Sequence, residues 1–161
     1  MKKNPRVVLA GGVSGGHTFP LIAVAQSLQK KYPGGIEYLF IGSKGPVESE
    51  AMAQQGIPAK YVLTGKWRRY FSLQNVIDLF KIPLGFFQAL WYLFLFLPDA
   101  VFAKGGSASV PVVLAAWLYR IPIIIHDSDA TVGYANRFLA RFATRIAIAY
   151  PSAREFLPEA K

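Results

Sequence analysis

Three short segments of the sequence concentrate glycine, serine, histidine and aspartate, the residue types from which anion-binding loops are built. Loop 1 is Gly11-Gly-Val-Ser-Gly-Gly-His17, loop 2 is Lys104-Gly-Gly-Ser-Ala-Ser109, and loop 3 is His126-Asp-Ser-Asp-Ala-Thr-Val-Gly133. A short apolar run precedes each loop, and a segment with helical spacing follows it. Glycines at such a strand-to-helix connection leave backbone N–H groups free to bind a phosphate. The spacing therefore predicts an anion site, most strongly at loop 1.

Loop 1 matches neither of the two common nucleotide-binding patterns. Its Gly12-x-x-Gly15-Gly16 spacing differs from G-x-G-x-x-G, and no acidic residue follows the second predicted strand to bind a ribose. A P-loop would end in Gly-Lys-Ser/Thr, which loop 1 lacks. A turn that served only tight packing would not need four glycines together with Ser14 and His17. We therefore interpret loop 1 as a general phosphate cradle.

Loops 2 and 3 leave more than one interpretation open. Ser107 and Ser109 either contact a ligand or cap the helix that follows them. Asp129 has the same two alternatives at the next helix. His126, Asp127 and Asp129 combine an imidazole with two carboxylates, but no further ligand has a suitable spacing. We therefore predict no metal site.

Apolar runs and amphipathic segments alternate along the chain, as is typical of a parallel sheet with helices on both faces. Strands are predicted over residues 6–10, 36–42, 59–65, 99–105, 122–126 and 144–150, and helices over about 21–28, 46–55, 72–97, 109–119 and 133–143. Thr18 is a candidate N-cap of the first helix, with Pro20 in its first turn. The predicted fold class is α/β, a Rossmann-like doubly wound parallel sheet of about six strands in one domain, residues 1–161. In such sheets ligands bind beyond the carboxyl ends of the strands, so the three loops should converge on one cleft.

The charge balance predicts an anionic partner. The 161 residues include 18 lysines and arginines against 9 aspartates and glutamates, a net charge of +9, which suits a phosphate ligand, nucleic acid or anionic lipid. Arg137, Arg141 and Arg145 recur at helical spacing, but no recognition motif accompanies them, so nucleic acid is not predicted. The absence of cysteine excludes disulfides and thiolate metal sites and fits a cytosolic protein.

The region from residue 66 to 97 carries a different signal, which suggests contact with a membrane. It begins with the basic and aromatic segment Lys66-Trp-Arg-Arg-Tyr70, and its apolar run from 82 to 97 holds Gln88 as the one strongly polar side chain. That run is shorter than the roughly 20 residues a spanning helix needs, and Pro83 and Gly85 interrupt it. We expect a helix that packs on the sheet and rests its outer face on an anionic bilayer, with burial under another domain as the alternative. The residues predicted to contact the membrane are Lys66, Trp67, Arg68, Arg69, Phe86, Phe87 and Trp91.

Taken together, these motifs resemble the N-terminal domain of glycosyltransferase family 28, which includes inverting N-acetylglucosaminyltransferases of peptidoglycan synthesis. The family's opening G-G-T-G-G-H-x-x-P is similar to Gly11-Gly-Val-Ser-Gly-Gly-His-Thr-Phe-Pro20, and its A-x-A-x-x-L to Ala23-Val-Ala-Gln-Ser-Leu28. Its P-D-x-V-x-x-x-G-G-Y-x-S is similar to Pro98-Asp-Ala-Val-Phe-Ala-Lys-Gly-Gly-Ser-Ala-Ser109. Its I-P-x-x-x-H-E-Q-N-A-x-x-G-x-x-N-R is similar to Ile121-Pro-Ile-Ile-Ile-His-Asp-Ser-Asp-Ala-Thr-Val-Gly-Tyr-Ala-Asn-Arg137.

The resemblance implies that the chain is the acceptor-binding and membrane-binding half of a two-domain GT-B enzyme. The C-terminal domain that binds UDP-GlcNAc is not among these residues, so this chain alone is expected to be inactive. The family's reaction moves GlcNAc from UDP-GlcNAc to the C4 hydroxyl of MurNAc in lipid I, an undecaprenyl-diphosphate MurNAc-pentapeptide, and forms lipid II. It serves cell wall biogenesis, and with it cell shape and division. The resemblance places the enzyme peripherally on the cytoplasmic face of the bacterial inner membrane and implies no cofactor.

The same resemblance suggests a role for each residue of the three loops. His17 is the candidate general base, because a neutral imidazole can accept a hydroxyl proton near pH 7. The alternatives are that Asp129 is the base and that His17 only orients loop 1. The substrate-binding residues implied are Ser14, Gly15, Gly16, Gly105, Gly106, Ser107, Ser109, His126, Asp127, Asp129 and Asn136, of which Ser14, Gly15, Gly16 and Asp129 would border the donor sugar.

The sequence departs from the family pattern at two places. Ser107 stands where the family has tyrosine, and His126-Asp-Ser-Asp129 replaces H-E-Q-N. The second change substitutes a carboxylate, which only accepts hydrogen bonds, for an amide, which also donates them. These departures leave the acceptor open. Two alternatives to lipid I glycosylation by one chain also stay open: the acceptor subunit of a two-chain polyprenyl-diphosphate glycosyltransferase, and a non-catalytic module that binds lipid diphosphates.

Overall fold

A computed structural model describes residues 4–12, 15–33, 35–65 and 73–158, apart from the side chains of residues 73–80. Ser14 of loop 1 and the basic segment with Lys66, Trp67, Arg68 and Arg69 lie outside the described residues. The predictions made for these five residues therefore stay predictions.

The structure contains one six-stranded sheet, and every paired strand runs parallel to its neighbour. The strands lie in the order β3-β2-β1-β4-β5-β6. Their bounds are β1 Arg6–Gly11, β2 Glu37–Gly42, β3 Ala59–Tyr61, β4 Ala100–Ala103, β5 Ile123–Asp127 and β6 Arg145–Ile148. The predicted fold class is confirmed.

Helices connect the strands. The bounds are α1 Gly15–Lys31, α2 Pro46–Gln54, α3 Leu73–Phe96, α4 Ser109–Leu118 and α5 Tyr134–Leu139, with a 3₁₀ helix over Pro151–Phe156 after β6. Because the strand order reverses between β1 and β4, the connections on either side of this point diverge. That divergence opens a crevice at the carboxyl ends of the two central strands.

Two hydrophobic clusters hold the layers together, one on each face of the sheet. Alternation along β1 sends Val8 to the cluster under α3 and α4, and Leu9 to the cluster under α1 and α2. All of the β1 side chains from Val8 to Ala10 are fully buried. A strand covered on both faces needs a continuous apolar run, which is the pattern the sequence shows.

Helix α1 begins earlier than predicted. It starts at Gly15, so Thr18 lies inside the helix and is buried, and its predicted role as N-cap is wrong. Pro20 lies beyond the first turn. Its missing N–H removes one backbone bond, to the carbonyl of Gly16, which is exposed and can bond to water instead. Loop 1 thus supplies the first turn of α1.

The outer elements are shorter than predicted. Strand β3 ends at Tyr61, short of residue 65, and β6 covers 145–148, short of the predicted 144–150. Both are edge strands, which pair on one side only, so backbone bonding stops where one neighbour ends. Helix α5 gives way after Leu139 to tighter turns, in which the Phe142 N–H donates to the Leu139 carbonyl.

Candidate functional site

The three loops leave the carboxyl ends of β1, β4 and β5, and the structure brings them into contact. Loops 1 and 2 meet at Gly106, where an added Cβ would lie 3.5 Å from the Gly12 carbonyl oxygen and 3.5 Å from His17 Nε2. Gly106 has φ 78°, and Gly105 has φ 99°. Side chains rarely adopt such angles, so loop 2 requires both of its glycines. Gly106, the less buried of the two, lies beside the His17 ring.

Loop 2 meets α5 at Gly105, and α5 is in turn bonded to loop 3. A Cβ on Gly105 would overlap the side chain of Asn136, which is buried in α5. Asn136 Nδ2 donates to Asp127 Oδ2 at 2.8 Å, and Asn136 Oδ1 has no hydrogen-bond partner among the described residues. The predicted convergence of the three loops is therefore confirmed, with Asn136 as the side chain on which loop 2 rests.

Asp127 shapes loop 3 from inside the protein. Its side chain is buried, and the Asp129 backbone N–H donates to its Oδ1 at 2.9 Å while Asn136 occupies its Oδ2. Both carboxylate oxygens therefore accept hydrogen bonds from the protein itself, one from loop 3 and one from α5. Asp127 thus has a structural role in holding the turn of loop 3. Asp129 itself is exposed beside this turn. It does not cap α5, whose N-cap is Gly133, because the chain continues for several residues before the helix begins.

The two serines of loop 2 differ in environment, and neither is a helix cap. The N-cap of α4 is Ala108. Ser109 is fully buried, and its Oγ lies 2.8 Å from the Gly105 carbonyl oxygen and 3.2 Å from the Ala10 carbonyl oxygen. Its hydroxyl therefore ties loop 2 to β1, and its role as a ligand contact stays a prediction. Ser107 is half-buried and remains a candidate ligand contact.

Lys104 is a functional candidate that the sequence interpretation missed. Its side chain is 3% exposed, and its Nζ donates to Ser128 Oγ at 2.8 Å, which links loop 2 to loop 3. The Ser128 hydroxyl in turn lies 3.4 Å from Asp129 Oδ1. The sequence contained a signal for this residue. Lys104 directly follows an apolar strand and precedes two glycines, so its charge lies where the strands end and the loops begin.

Both histidines favour the neutral form. Burial, followed by the positive charge of Lys104, lowers the pKa of His17 below its ordinary value, against the opposing effect of Asp129, Asp127 and Glu48. Burial and Lys104 likewise lower the pKa of His126, against Asp127. The Nδ1 atoms of both rings are buried without a hydrogen-bond partner among the described residues. At pH 7 both rings are therefore uncharged, as a general base must be.

Gly15 and Gly16 begin α1, so their N–H groups are among those that the helix leaves without an internal partner. The positive end of the helix dipole lies at these two residues of loop 1, which favours an anion there. Among the described residues, no three or more histidine, aspartate and glutamate side chains are arranged to hold a metal ion.

The side chains of α3 predicted to touch a membrane are partly exposed. Phe87 is 65% exposed and Trp91 is 59% exposed, whereas Phe86 packs in part against the core. Gln88, the polar residue of this run, accepts a hydrogen bond from the Leu63 backbone N–H at 2.8 Å. It therefore anchors the helix on the sheet side. None of the described helices is both long and apolar enough to cross a bilayer.

The chain belongs to glycosyltransferase family 28, because its residues 7–148 match the glycosyltransferase family 28 N-terminal domain. Its relatives include a Lachnospira eligens protein named UDP-N-acetylglucosamine–N-acetylmuramyl-(pentapeptide) pyrophosphoryl-undecaprenol N-acetylglucosamine transferase. That protein is 44% identical over 156 residues, which cover 97% of this chain and 43% of the relative. A Treponema pallidum protein of the same name is 40% identical over 96% of this chain and 40% of its own length.

Solved structures agree with the sequence relatives. The structure is similar to MurG of Acinetobacter baumannii, with a TM-score of 0.78 and 29% identity over 97% of this chain and 43% of that one. A putative UDP-N-acetylglucosamine 2-epimerase from Listeria monocytogenes matches with a TM-score of 0.65 but only 12% identity, which shows the fold alone. The chain thus has the fold of the N-terminal half of a GT-B glycosyltransferase and spans less than half the length of these relatives.

Proposed function

We propose that this chain is the acceptor-binding half of an inverting N-acetylglucosaminyltransferase that acts on lipid I. GlcNAc would move from UDP-GlcNAc, held mainly by a second domain, to the C4 hydroxyl of the lipid I MurNAc. The observation that carries the proposal is the junction of loops 1 and 2, where the ring of His17 lies against Gly106. A neutral imidazole next to glycine-rich backbone suits a general base beside an anion site, which supports transfer to a diphosphate-linked sugar.

The acceptor diphosphate would bind to backbone N–H groups of loops 1 and 2. Support comes from the start of α1 at Gly15 and from the two left-handed glycines of loop 2, Gly105 and Gly106. Backbone donors in this arrangement bind anions without side chains that would fill the space. The sugar hydroxyls would then lie near His17 and the exposed Asp129.

His17 is the general base in this proposal. Its lowered pKa keeps the ring unprotonated at pH 7, so it can accept the C4 hydroxyl proton as that oxygen attacks the anomeric carbon of GlcNAc and the bond to UDP breaks. Asp129 is the alternative base. The carboxylates around His17 would stabilise the imidazolium that forms.

The surface that would contact the membrane is the α3 apolar face, which we define as Leu84, Phe87, Trp91, Phe94 and Leu95. Each of these side chains is between 55% and 65% exposed. The face follows the basic segment from Lys66 to Arg69 in the sequence, and the whole chain carries a net charge of +9. An apolar helix face that basic residues precede in the sequence suits a peripheral protein on the anionic, cytoplasmic side of a bacterial inner membrane.

The transferase proposal is tested with the complete natural gene product that carries these residues. We expect it to transfer radiolabelled GlcNAc from UDP-GlcNAc to a lipid I analogue. His17→Ala should lower kcat by about 10²- to 10⁴-fold, the usual contribution of a general base. Gln29→Ala, an exposed change at the other end of α1, serves as the matched control. Absence of transfer by the wild-type product would overturn the proposal.

The membrane proposal is tested by flotation of the chain with liposomes that contain anionic lipid. The double variant Phe87→Ser/Trp91→Ser should lose flotation while its circular dichroism stays unchanged. Tyr32→Ser removes an aromatic side chain that is also exposed, at 50%, but lies at the far end of α1, and it should float like the wild type. Unchanged flotation of the double variant would assign the α3 apolar face to another partner, such as a second domain.

A further inference from the structure

A buried lysine lies at the base of loop 2 in the candidate site. Lys104 follows β4 directly, and its side chain is 3% exposed. Its backbone N–H donates to the Ala10 carbonyl, which continues the pairing of the two central strands beyond β4. The lysine is therefore fixed at the switch point of the sheet, beneath the place where loops 1 and 2 meet.

The ammonium group of Lys104 is only partly satisfied. Among the described residues its hydrogen-bond partner is the Ser128 hydroxyl, a neutral group. An ammonium has three N–H donors, and burying a charge without full compensation costs considerable free energy. A buried lysine held in this way has donors and charge left for an anion.

Other polar groups around Lys104 are also unsatisfied. The Nδ1 atoms of His17 and His126, together with Asn136 Oδ1, are buried and without a partner among the described residues. They belong to loop 1, loop 3 and the start of α5. The charge of Lys104 acts on both rings, and the Asn136 side chain lies against Gly105, the residue that follows Lys104. Unpaired buried polar atoms are rare in folded proteins, so their concentration here indicates a site that a ligand or water completes.

We propose that Lys104 is a diphosphate-binding residue, which supplies the buried counter-charge for the anionic group held by the backbone of loops 1 and 2. The inference rests on the proposed function for the identity of the ligand, a polyprenyl diphosphate. It goes beyond that function because it assigns the charge to a side chain beneath the glycines. In the low dielectric of this position a single cation attracts an anion more strongly than it would at the surface.

The inference has one structural alternative, in which Lys104 only offsets the buried carboxylate of Asp127. The two residues act on the same ring with opposite sign, since Lys104 lowers and Asp127 raises the pKa of His126. Removing the lysine would destabilise the fold under either explanation. Ligand binding, however, depends on Lys104 only if the lysine faces the anion.

The experiment is calorimetric titration of the full chain with inorganic pyrophosphate. Lys104→Met keeps the length and packing of the side chain but removes its charge, and we expect about 10- to 100-fold weaker binding, the effect of one charge-assisted contact. Lys60→Met is the matched control, because Lys60 is an exposed lysine on the edge strand β3, and its affinity should stay within about twofold of the wild type. Equal affinity of folded Lys104→Met and wild type would overturn the inference.

A measurement on the wild-type chain covers the case in which Lys104→Met does not fold. The sequence holds only two histidines, so both ring signals can be followed by NMR. A pyrophosphate ion next to Lys104 offsets its charge and should raise the pKa of both His17 and His126. Saturation with pyrophosphate that moves neither pKa would place the anion elsewhere and refute the role of Lys104.

The inference and the proposed function can be refuted independently of each other. If the complete gene product transfers no GlcNAc but pyrophosphate binding still depends on Lys104, the transferase proposal falls and the inference stands. If GlcNAc transfer is found and pyrophosphate binding is independent of Lys104, the inference alone is overturned.

Discussion

Replacing Gly105 with alanine tests how loop 2 is held against α5. The residue has φ 99°, and a Cβ there would overlap the Asn136 side chain. Asn136 cannot simply move aside, because it is buried and bonded to the buried Asp127. Gly56→Ala is a matched control, since Gly56 also has a positive φ, 65°, but an added Cβ would meet nothing within 4 Å.

The two substitutions share one cost and differ in another. A non-glycine residue at positive φ costs about 1–2 kcal/mol, and this applies to both. At Gly105 the displaced amide also leaves a buried Asp127 oxygen without its donor, which costs a further 1–3 kcal/mol, roughly. We therefore expect Gly105→Ala to lower the free energy of unfolding by about 2–5 kcal/mol and Gly56→Ala by about 1–2 kcal/mol.

The assay is urea unfolding followed by far-ultraviolet circular dichroism, with both variants compared with the wild type at one temperature and pH. Pyrophosphate affinity measured on the folded fraction gives a second readout, because a displaced loop 2 should bind the anion more weakly. Equal destabilisation by the two variants would refute the role of Asn136 as the support of loop 2.

Two further predictions follow from the charges of the site. Because burial and Lys104 lower the pKa of His17 and burial lowers that of His126, the unfolded chain binds more protons than the folded chain just below pH 6.5. The free energy of unfolding should therefore fall between pH 7.5 and 5.5 in urea titrations, and NMR should place both ring pKa values below 6.5; a value above 6.5 for either ring would contradict the reasoning. Asp127→Ala should lower the free energy of unfolding by about 2 kcal/mol or more, whereas Asp129→Ala, on an exposed side chain, should change it by less than about 0.5 kcal/mol. Similar effects from the two aspartates in the same urea assay would show that Asp127 does not hold loop 3.

Much of the fold could be predicted from the order of apolar runs and glycine-rich loops. All six strands were predicted, because residues buried on both faces of a parallel sheet must be apolar throughout. The bounds of the outer elements were less predictable. How far β3 extends beyond residue 59 depends on pairing with β2 along one edge, which no local pattern contains.

The candidate site was predicted in part. The glycines of loops 1 and 2 indicated phosphate binding from their spacing alone, and His17 and Asp127 were singled out with them. Thr18 was wrongly predicted as an N-cap, and the cap alternative left open for Ser107, Ser109 and Asp129 does not hold. A serine or aspartate before a helix can bond to any nearby carbonyl or N–H, and only the packed structure selects one of them.

What the sequence by itself determined is the set of chemical groups and the order in which they follow the strands. That the charge of Lys104 acts on both histidines, and that Asn136 supports Gly105, was decided by the tertiary structure. Parallel strands place the ends of β1, β4 and β5 side by side although they are far apart in the chain, and burial then turns the lysine at the end of β4 into the charge beneath the site. Local spacing cannot show this, because proximity and burial depend on how the sheet is assembled.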